Sequence, residues 1–290
     1  MTTTTFDPLR YKQATTEQWQ AAADAWNRWS PTIEDWLGSA TVVMLDLAGI
    51  RQGGCVLDVA AGAGGQTLAA AARVGNSGQV LATDVAPAIL AFAEDNALRE
   101  GLTNVAVRVM DGENLEVEPG HFDAVISRVG LIYFPDQHRA LLGMLRALRP
   151  GGRAAAIVYS TPERNGFFSV PVSVIRDRAE LPPPAPGQPG PFSLGGPGIA
   201  DAAFRDAGFI DVVAVRIDAP LRLATAADCV QFERDSFGAL HQMLASLDEE
   251  ARNDAWADIT ERLTAYETPD GFVGPCELVV VAGTAPGASS

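Results

Sequence analysis

Residues 55–65, CVLDVAAGAGG, form the segment from which the fold is most readily predicted. Val56 to Val59 is a short apolar run with one acid, which is typical of the end of a buried parallel strand. Ala60 to Gly65 follows as a glycine-rich turn, and Gln66 to Ala72 favours a helix. A strand, a glycine turn and a helix in this order bring the backbone close to a nucleotide-like ligand.

Strand-like and helix-like segments alternate after this turn. The predicted strands are 79–83, 105–110, 122–127, 153–159, 209–217 and 277–282, and the predicted helices are 87–100, 136–148 and 199–207. Pro87 in a first helical turn supports the start of its helix. Strands that alternate with helices at this spacing predict an open, parallel α/β sheet.

Three further segments are predicted to cap the sheet. Four tryptophans share one helical face near the start of the chain, namely Trp19, Trp26, Trp29 and Trp36. Pro31 should begin a new helix there, and the tryptophans either pack in the core or form a lid over a ligand. Residues 182–198 contain seven prolines and five glycines, which favours an irregular loop, and 224–266 is predicted to be helical.

Composition excludes several functional classes. The formal net charge of −15, from 21 basic and 36 acidic residues, disfavours binding to nucleic acid or an anionic membrane. The chain shows no signal peptide and no apolar run long enough to span a membrane, so we expect a soluble, cytoplasmic protein. With three cysteines, three histidines and no metal-ligand motif, we expect no metal site. A homodimer is left open.

Three acids follow successive strands: Asp58, Asp84 and Asp111. Because ligands bind at the carboxyl ends of the strands in an open parallel sheet, all three should face one crevice. Asp84 comes twenty residues after Gly64, an offset at which a carboxylate can accept both hydroxyls of a ribose. Asp111 would then lie within reach of an adenine amino group. The alternative for each acid alone is a helix cap or a solvated loop.

The turn itself favours one cofactor over another. The dinucleotide pattern G-x-G-x-x-G requires a third glycine, but Thr67 occupies that position. Asp58 precedes the turn, where a carboxylate would repel a diphosphate but would suit a cationic or zwitterionic ligand. These two residues disfavour NAD and favour S-adenosylmethionine.

Five segments in order resemble the motifs of class I S-adenosylmethionine-dependent methyltransferases: Val56 to Gly64, Thr83-Asp84-Val85, Met110 to Glu113, Phe122 to Arg128 and Leu148 to Gly152. Within that family they look like the ubiquinone/menaquinone-biosynthesis branch, which includes natural-product enzymes. Ala63 departs from the Thr or Ser that is common in the first motif. The resemblance implies a Rossmann-like fold with a seven-stranded, mostly parallel sheet whose last strand is antiparallel.

The resemblance also implies a division of the chain and a set of cofactor contacts. The predicted parts are an N-terminal helical lid (1–50), an S-adenosylmethionine-binding core (51–160), a Pro/Gly-rich cap insertion (161–198) and the rest of the sheet (199–290) with a helical insertion at about 224–272. The methionine would contact Asp58, Ala60, Gly62 and Gly64, the ribose Asp84 and Val85, the adenine Asp111 and Gly112, and the methionine amino group the backbone carbonyls of Ser127 and Arg128. Arg128 could instead pair with a nearby acid.

The acceptor and the catalytic residues are less clearly indicated. Methyl transfer is an in-line displacement, so a base is needed only if the nucleophile must lose a proton. Tyr133 and His241 are the two candidates, although a helical histidine can be purely structural. The tetrapeptide N-P-P-Y of enzymes that methylate nucleic acid or protein amino groups is absent after Ile126. We therefore expect methylation at oxygen, nitrogen or carbon of a small, hydrophobic or aromatic acceptor.

Cap phenylalanines could form an apolar wall for that acceptor or simply pack in the core: Phe167, Phe168, Phe192, Phe232 and Phe237. Two other functions stay open. The first is an NAD(P)-dependent oxidoreductase, against which Asp58, Thr67 and the missing Tyr-x-x-x-Lys pattern argue. The second keeps the fold and the cofactor but acts as a cyclase, a hydroxylase or a binding protein.

Overall fold

The computed structural model of the chain describes residues 6–185 and 188–287. Its helices are α1 Pro8–Arg28, α2 Ser30–Leu47, α3 Gly65–Val74, α4 Pro87–Arg99, α5 Gln137–Ala147, α6 Gly166–Arg178, α7 Ile199–Asp206, α8 Ala226–Ser236, α9 Gly238–Met243 and α10 Glu249–Leu263. Its strands are β1 Cys55–Val59, β2 Gln79–Asp84, β3 Val105–Val109, β4 Phe122–Arg128, β5 Leu148–Tyr159, β6 Ile210–Asp218, β7 Leu221–Leu223, β8 Glu267–Thr268, β9 Gly271–Gly274 and β10 Glu277–Thr284.

Seven strands form one sheet in the order β3-β2-β1-β4-β5-β10-β6. The four pairs from β3 to β5 are parallel, whereas β10 runs antiparallel to both β5 and β6. Val56, Leu57, Val125 and Ile126 at its centre are completely buried. Helices cover both faces of such a sheet, which is why its central strands are continuous apolar runs. The predicted mostly parallel sheet with an antiparallel last strand is confirmed.

The N-terminal tryptophans are divided between two helices, as the proline predicted: Trp19 and Trp26 lie on α1, Trp36 lies on α2, and Trp29 joins the two. The helix α1 ends at Arg28, and Pro31 lies in the first turn of α2. The helix α1 begins at Pro8, because the Asp7 side chain accepts hydrogen bonds from the backbone N–H groups of Leu9 and Arg10, both at 3.1 Å. A capped proline is a strong helix start that the tryptophan pattern alone did not reveal.

The insertion predicted at about 224–272 is only partly helical, which corrects the prediction. After α8, α9 and α10 the chain forms β8 and β9, which join β7 in a separate three-stranded sheet of order β7-β9-β8. The strands are two to four residues long, too short to show an alternating pattern. Their pairing also joins segments on opposite sides of three helices, which no local pattern reveals.

The strand β5 also differs from its prediction. It begins at Leu148, five residues before the predicted strand 153–159, and so includes the segment Arg149 to Gly152. The register against β4 shifts between Phe122 and Ala124, so the glycines accommodate an irregularity inside the strand.

The Pro/Gly-rich segment packs against the chain between β4 and the start of α5. The N–H of Gly190 donates to the carbonyl of Ile132 at 2.9 Å, and Gln137 Nε2 donates to Ser193 Oγ at 3.0 Å. The predicted cap at 161–198 also contains a regular helix, α6.

The predicted parts include residues 1–5, 186–187 and 288–290, which lie outside the described residues. None of the described helices is both long and apolar enough to cross a membrane.

Candidate functional site

A cavity opens at the carboxyl ends of β1, β2, β4 and β5, below α1. It encloses about 950 Å³, its open mouth included. Of the predicted cofactor contacts, seven line it, namely Ala60, Gly62, Asp84, Val85, Asp111, Gly112 and Arg128. Three do not line it: Asp58, Gly64 and Ser127. The predicted cofactor contacts therefore mark one wall of a cavity, and three of the ten predicted residues do not reach its surface.

Asp58 lies behind the glycine turn and holds it in place. Its side chain is fully buried, with Oδ2 accepting a hydrogen bond from Thr67 Oγ1 at 2.6 Å and Oδ1 one from Gln66 Nε2 at 3.2 Å. Burial raises the pKa of Asp58 to about 6, although these two hydrogen bonds oppose the rise. Gln66, not Asp58, reaches the cavity. The threonine that replaces a third glycine is thus a partner of Asp58.

The glycines and the strained residues of the turn allow close packing at the cavity floor. Gly64 has φ +92°, and a Cβ atom there would lie 2.9 Å from Ala93 Cβ of α4. Ala60 and Val129, which follow β1 and β4, also have positive φ, +58° and +51°. Such strain in residues that carry a Cβ atom is concentrated at functional sites. Both residues line the cavity, with Gly130 between them.

Asp84, at the end of β2, is rigidly oriented by backbone donors. Its Oδ2 accepts from the N–H of Gly62 and its Oδ1 from the N–H of Ala86, both at 3.0 Å. Burial raises the pKa of this carboxyl, opposed by the backbone hydrogen bonds. An ionised carboxylate has about four acceptor positions, so a ligand in the cavity can still use the remaining ones.

Asp111 has a partner that the sequence did not reveal. Lys12 Nζ, on α1, lies 2.7 Å from Asp111 Oδ2 and also pairs with Glu113, whose side chain is 6% exposed. Burial alone would lower the pKa of Lys12, but the hydrogen bonds to the two carboxylates outweigh it and raise the pKa. The pairing joins residues 99 positions apart, so no sequence spacing could have predicted it.

Arg128, at the end of β4, pairs with an acid through its side chain. The guanidinium contacts Glu34 of α2 at 2.8 and 3.2 Å and Thr41 Oγ1 at 3.3 Å. This is one of the two alternatives that the sequence left open, and it does not test the role of the backbone carbonyl. The neighbouring Ser127 is fully buried, and its hydroxyl has no hydrogen-bond partner among the described residues.

Six aromatic side chains line the cavity: Trp19, Trp26, Tyr133, Phe134, Tyr159 and Phe237. Phe134 lies against Gly112, where a Cβ atom would be 2.5 Å from the Phe134 ring. The Trp19 ring centroid lies 5.2 Å from that of Trp26 and 5.7 Å from that of Tyr133. Burial raises the pKa of the Tyr133 and Tyr159 hydroxyls, so both are neutral phenols at neutral pH. We call the five aromatic side chains other than Phe134 the aromatic wall.

The other predicted acceptor residues lie elsewhere. Phe167, Phe168 and Phe232 are fully buried in the core, and Phe192 is half-buried and does not line the cavity. Of the predicted phenylalanines, Phe237 lines the cavity. His241 is exposed, its Nε2 lies 2.6 Å from the carbonyl oxygen of Arg234, and it does not line the cavity, so its geometry supports a structural role. No group of three metal-ligating side chains was found in residues 6–185 and 188–287.

Sequence comparison matches the part of the chain that builds this cavity floor. A family model described as "Methyltransferase domain" matches residues 56–152, from β1 into β5. The ubiquinone/menaquinone biosynthesis C-methyltransferase UbiE of Azotobacter vinelandii is 38% identical over 119 residues, which are 41% of this chain and 47% of that protein. The chain thus spans about half the length of the curated relatives it matches.

Solved structures extend the similarity over most of the chain. Phosphoethanolamine N-methyltransferase 2 of Haemonchus contortus, in complex with S-adenosyl-L-methionine, superposes with a TM-score of 0.54 at 20% identity, covering 86% of this chain and 52% of that one. The [4+2]-cyclase SpnF superposes with a TM-score of 0.56 at 17% identity, covering 93% of this chain and 96% of that one. At these identities the similarity shows the fold alone.

Proposed function

We propose that this chain, which carries a class I S-adenosylmethionine-dependent methyltransferase domain related to that of the UbiE enzymes, transfers a methyl group to a small hydrophobic or aromatic acceptor. The family match over residues 56–152 and the UbiE relatives support the predicted family, and the solved structures show the same Rossmann-like fold. The substrate class and the residue roles below are proposals supported by the cavity.

The polar half of the cavity fits S-adenosylmethionine. We assign the ribose to Asp84 and Val85, because a fixed carboxylate with free lone pairs suits a pair of hydroxyls. Asp111 and Gly112 would hold the adenine, and the turn around Gly62 the methionine. Asp58 would act through Gln66 and Thr67 by holding the turn in its binding conformation.

The aromatic wall fits the acceptor. When bound, the cofactor supplies a methyl group on a positively charged sulfur, which a nucleophile attacks in line. Trp26 of the aromatic wall packs against the glycine turn, since its Nε1 lies 3.5 Å from the position that a Cβ atom of Gly62 would occupy. The wall can therefore align a flat apolar acceptor with the methyl group and exclude water. Tyr133, as a neutral phenol, can orient a polar atom of the acceptor by hydrogen bonding.

One observation carries this proposal: a single cavity is lined both by the acids and the glycine turn and by the aromatic wall. The test is transfer of a labelled methyl group from S-adenosylmethionine to a panel of small aromatic acceptors. The panel offers oxygen, nitrogen and carbon nucleophiles, carbon because the UbiE relatives are C-methyltransferases. Calorimetry with S-adenosylhomocysteine and with NADH separates this function from an oxidoreductase, for which only NADH should bind.

A second candidate is that the protein keeps the methyltransferase fold and the cofactor but no longer transfers a methyl group, and acts as a cyclase, a hydroxylase or a binding protein. The superposition on the cyclase SpnF over nearly the whole chain keeps this alternative in view. Tight binding of S-adenosylhomocysteine without any methyl transfer across the panel would favour it. We further propose a cytoplasmic protein that does not bind nucleic acid, which cell fractionation and a binding assay with DNA and RNA would test. Light scattering would decide whether it forms a homodimer, which the sequence left open.

A further inference from the structure

Glu34 and Arg128 form an ion pair beside the start of α3. Arg128 Nη2 lies 2.8 Å from Glu34 Oε1, and Nη1 lies 3.2 Å from Oε2. The Arg128 side chain lines the cavity and is 5% exposed, whereas the Glu34 side chain is 41% exposed. Arg128 is therefore the member of the pair that lines the cavity, whereas Glu34 does not line it and is the solvent-facing member.

Both members of the pair keep capacity for a ligand. Arginine has five N–H donors, and among the described residues Arg128 makes three hydrogen bonds, two to Glu34 and one to Thr41. Two donors therefore stay available. Each Glu34 oxygen accepts one of these hydrogen bonds and retains a further lone pair. A ligand can join the pair without breaking it.

Gly65 makes room for this pair. A Cβ atom at position 65 would overlap Glu34 Oε1 and Arg128 Nη2. Gly65 is the first residue of α3, and its N-cap, Gly64, has no side chain to accept from the free N–H groups. The helix start therefore adds positive potential beside the guanidinium, which favours an anionic group there.

We propose that Glu34 and Arg128 form a clamp for the amino-acid end of the cofactor, in which Arg128 binds the carboxylate and Glu34 binds the ammonium group. The inference rests on the proposed function, since it assumes that S-adenosylmethionine occupies the cavity. It assigns the Arg128 side chain a ligand contact, whereas the family resemblance assigned only its backbone carbonyl.

The charges of the clamp match a zwitterion. The carboxylate of an amino acid can form two parallel hydrogen bonds with a guanidinium, a geometry that lysine cannot supply. The ammonium group then lies on the side of the acid. A ligand that carries both a carboxylate and an ammonium group can bind Arg128 and Glu34 at the same time. A ligand with only one of these groups can bind only one of the two residues.

Four ligands test each half of the clamp separately. They are S-adenosylhomocysteine, its analogue without the amino group, its analogue without the carboxylate, and 5′-methylthioadenosine, which lacks both groups. Calorimetry measures their affinities for the wild type, Arg128→Met and Glu34→Gln. Arg128→Met should weaken the two ligands that carry a carboxylate on the order of 10- to 100-fold. Glu34→Gln should weaken the two that carry an amino group by roughly 3- to 10-fold, because Glu34 is partly screened by solvent.

Gly65→Ala gives a second test in which both charged groups remain. The methyl group should push the pair out of place and reproduce the loss for S-adenosylhomocysteine. Its matched control is Gly38→Ala on α2, where a Cβ atom has nothing within 4 Å. The control for the ion pair is Arg73→Met, which removes the contact of Arg73 with Asp46 between α3 and α2, away from the cavity. Both controls should bind all four ligands like the wild type.

The outcomes separate the clamp from the function on which it rests. A loss in Arg128→Met that is equal for all four ligands would show a purely structural pair and overturn the clamp, as would no loss at all. If the wild type binds none of the four ligands, the cofactor assignment itself fails and the clamp fails with it.

Discussion

Two fully buried carboxyl groups show how surroundings decide the role of an acid. Asp58 accepts hydrogen bonds from Gln66 and Thr67 and holds the cofactor turn. Glu233 of α8 is equally buried, but neither of its oxygens has a hydrogen-bond partner among the described residues. Burial raises the pKa of Glu233 well above its ordinary value, so the group is held as the neutral acid.

Replacing Glu233 by methionine should raise the free energy of unfolding by about 1–3 kcal/mol at neutral pH, because an unpaired buried acid is removed. The folded pKa exceeds the ordinary value of 4.5, so the folded state keeps a proton that the unfolded state releases. Wild-type stability should therefore fall as the pH rises above that value, and the variant should lack this fall. Urea unfolding across this pH range measures the difference.

The control for this series is Glu250→Met, at an exposed position at the start of α10. It should change neither the stability at neutral pH nor its pH dependence by more than a few tenths of a kcal/mol. A gain from Glu233→Met that stays constant with pH would contradict the assignment of a neutral acid with a raised pKa.

Asp84→Ala should weaken S-adenosylhomocysteine binding by about 1–3 kcal/mol, roughly 5- to 160-fold, because it removes the proposed ribose acceptor. Isothermal calorimetry measures the loss. Asp123→Ala is the matched control. Asp123 also accepts a backbone hydrogen bond, from Cys55 at 2.7 Å, but it lies at the amino ends of β1 and β4, away from the cavity. Equal affinities of the wild type and Asp84→Ala would show that the ribose assignment is wrong.

At the scale of elements, the two N-terminal helices divide the tasks that the tryptophan pattern left open. The helix α1 places Lys12, Thr15, Thr16, Trp19 and Trp26 at the cavity. The helix α2 contributes Trp36, which is 3% exposed and contacts Tyr159, Phe167 and Phe232 in the core. Trp26 of α1 both lines the cavity and belongs to the core, whereas Trp36 of α2 packs only in the core; the lid stays a prediction.

Lys12→Met should speed dissociation of S-adenosylhomocysteine, because it cuts the ion pairs that tie α1 to the loop after β3. A partly exposed pair contributes little by itself, but the loss leaves the nearly buried Glu113 unpaired, so we expect a change of roughly 3- to 30-fold. Stopped-flow displacement gives the rate.

Arg28→Met is the control for this experiment. It removes a comparable ion pair of α1, with Asp235 of α8, whose two residues do not line the cavity. The control should dissociate at the wild-type rate. If both variants accelerate dissociation equally, α1 would act through general stability and not as a lid latched at Lys12.

At the scale of the molecule, sheet and caps share one continuous hydrophobic core. It includes Leu57 and Val125 of the central strands, Trp36 of α2, Phe168 of α6 and Phe232 of α8. Because no polar layer separates the cap residues in this cluster from the sheet, we expect the described parts of the chain to unfold together.

Trp36→Ala should therefore destabilise the whole chain by about 3–5 kcal/mol, the range for a large buried aromatic residue. Unfolding transitions followed by far-ultraviolet circular dichroism and by the fluorescence of the remaining tryptophans should have the same midpoint, lower than that of the wild type. Leu98→Ala, at a position 68% exposed, should leave the midpoint unchanged. Two separate transitions would contradict a shared core, since the caps would then unfold before the sheet.

The sequence by itself determined the elements whose information is local. The apolar run 56–59, the glycine turn and the acids Asp84 and Asp111 predicted the central strands and one wall of the cavity. They could do so because a buried parallel strand has a characteristic composition and its carboxyl end must face the crevice. The cofactor class was predicted from Thr67 and Asp58, although Asp58 does not face the cavity and instead accepts a hydrogen bond from Thr67 at 2.6 Å behind the turn.

Only the tertiary structure decided which distant residues complete the site. Lys12 reaches Asp111, Glu34 reaches Arg128, and Phe237 joins the aromatic wall, although each pair or group is separated by tens of residues or more. The same holds for the small sheet of β7, β8 and β9. The physical reason is that such contacts depend on how helices cross a sheet, and the pattern along a helix shows which face is buried but not what covers it.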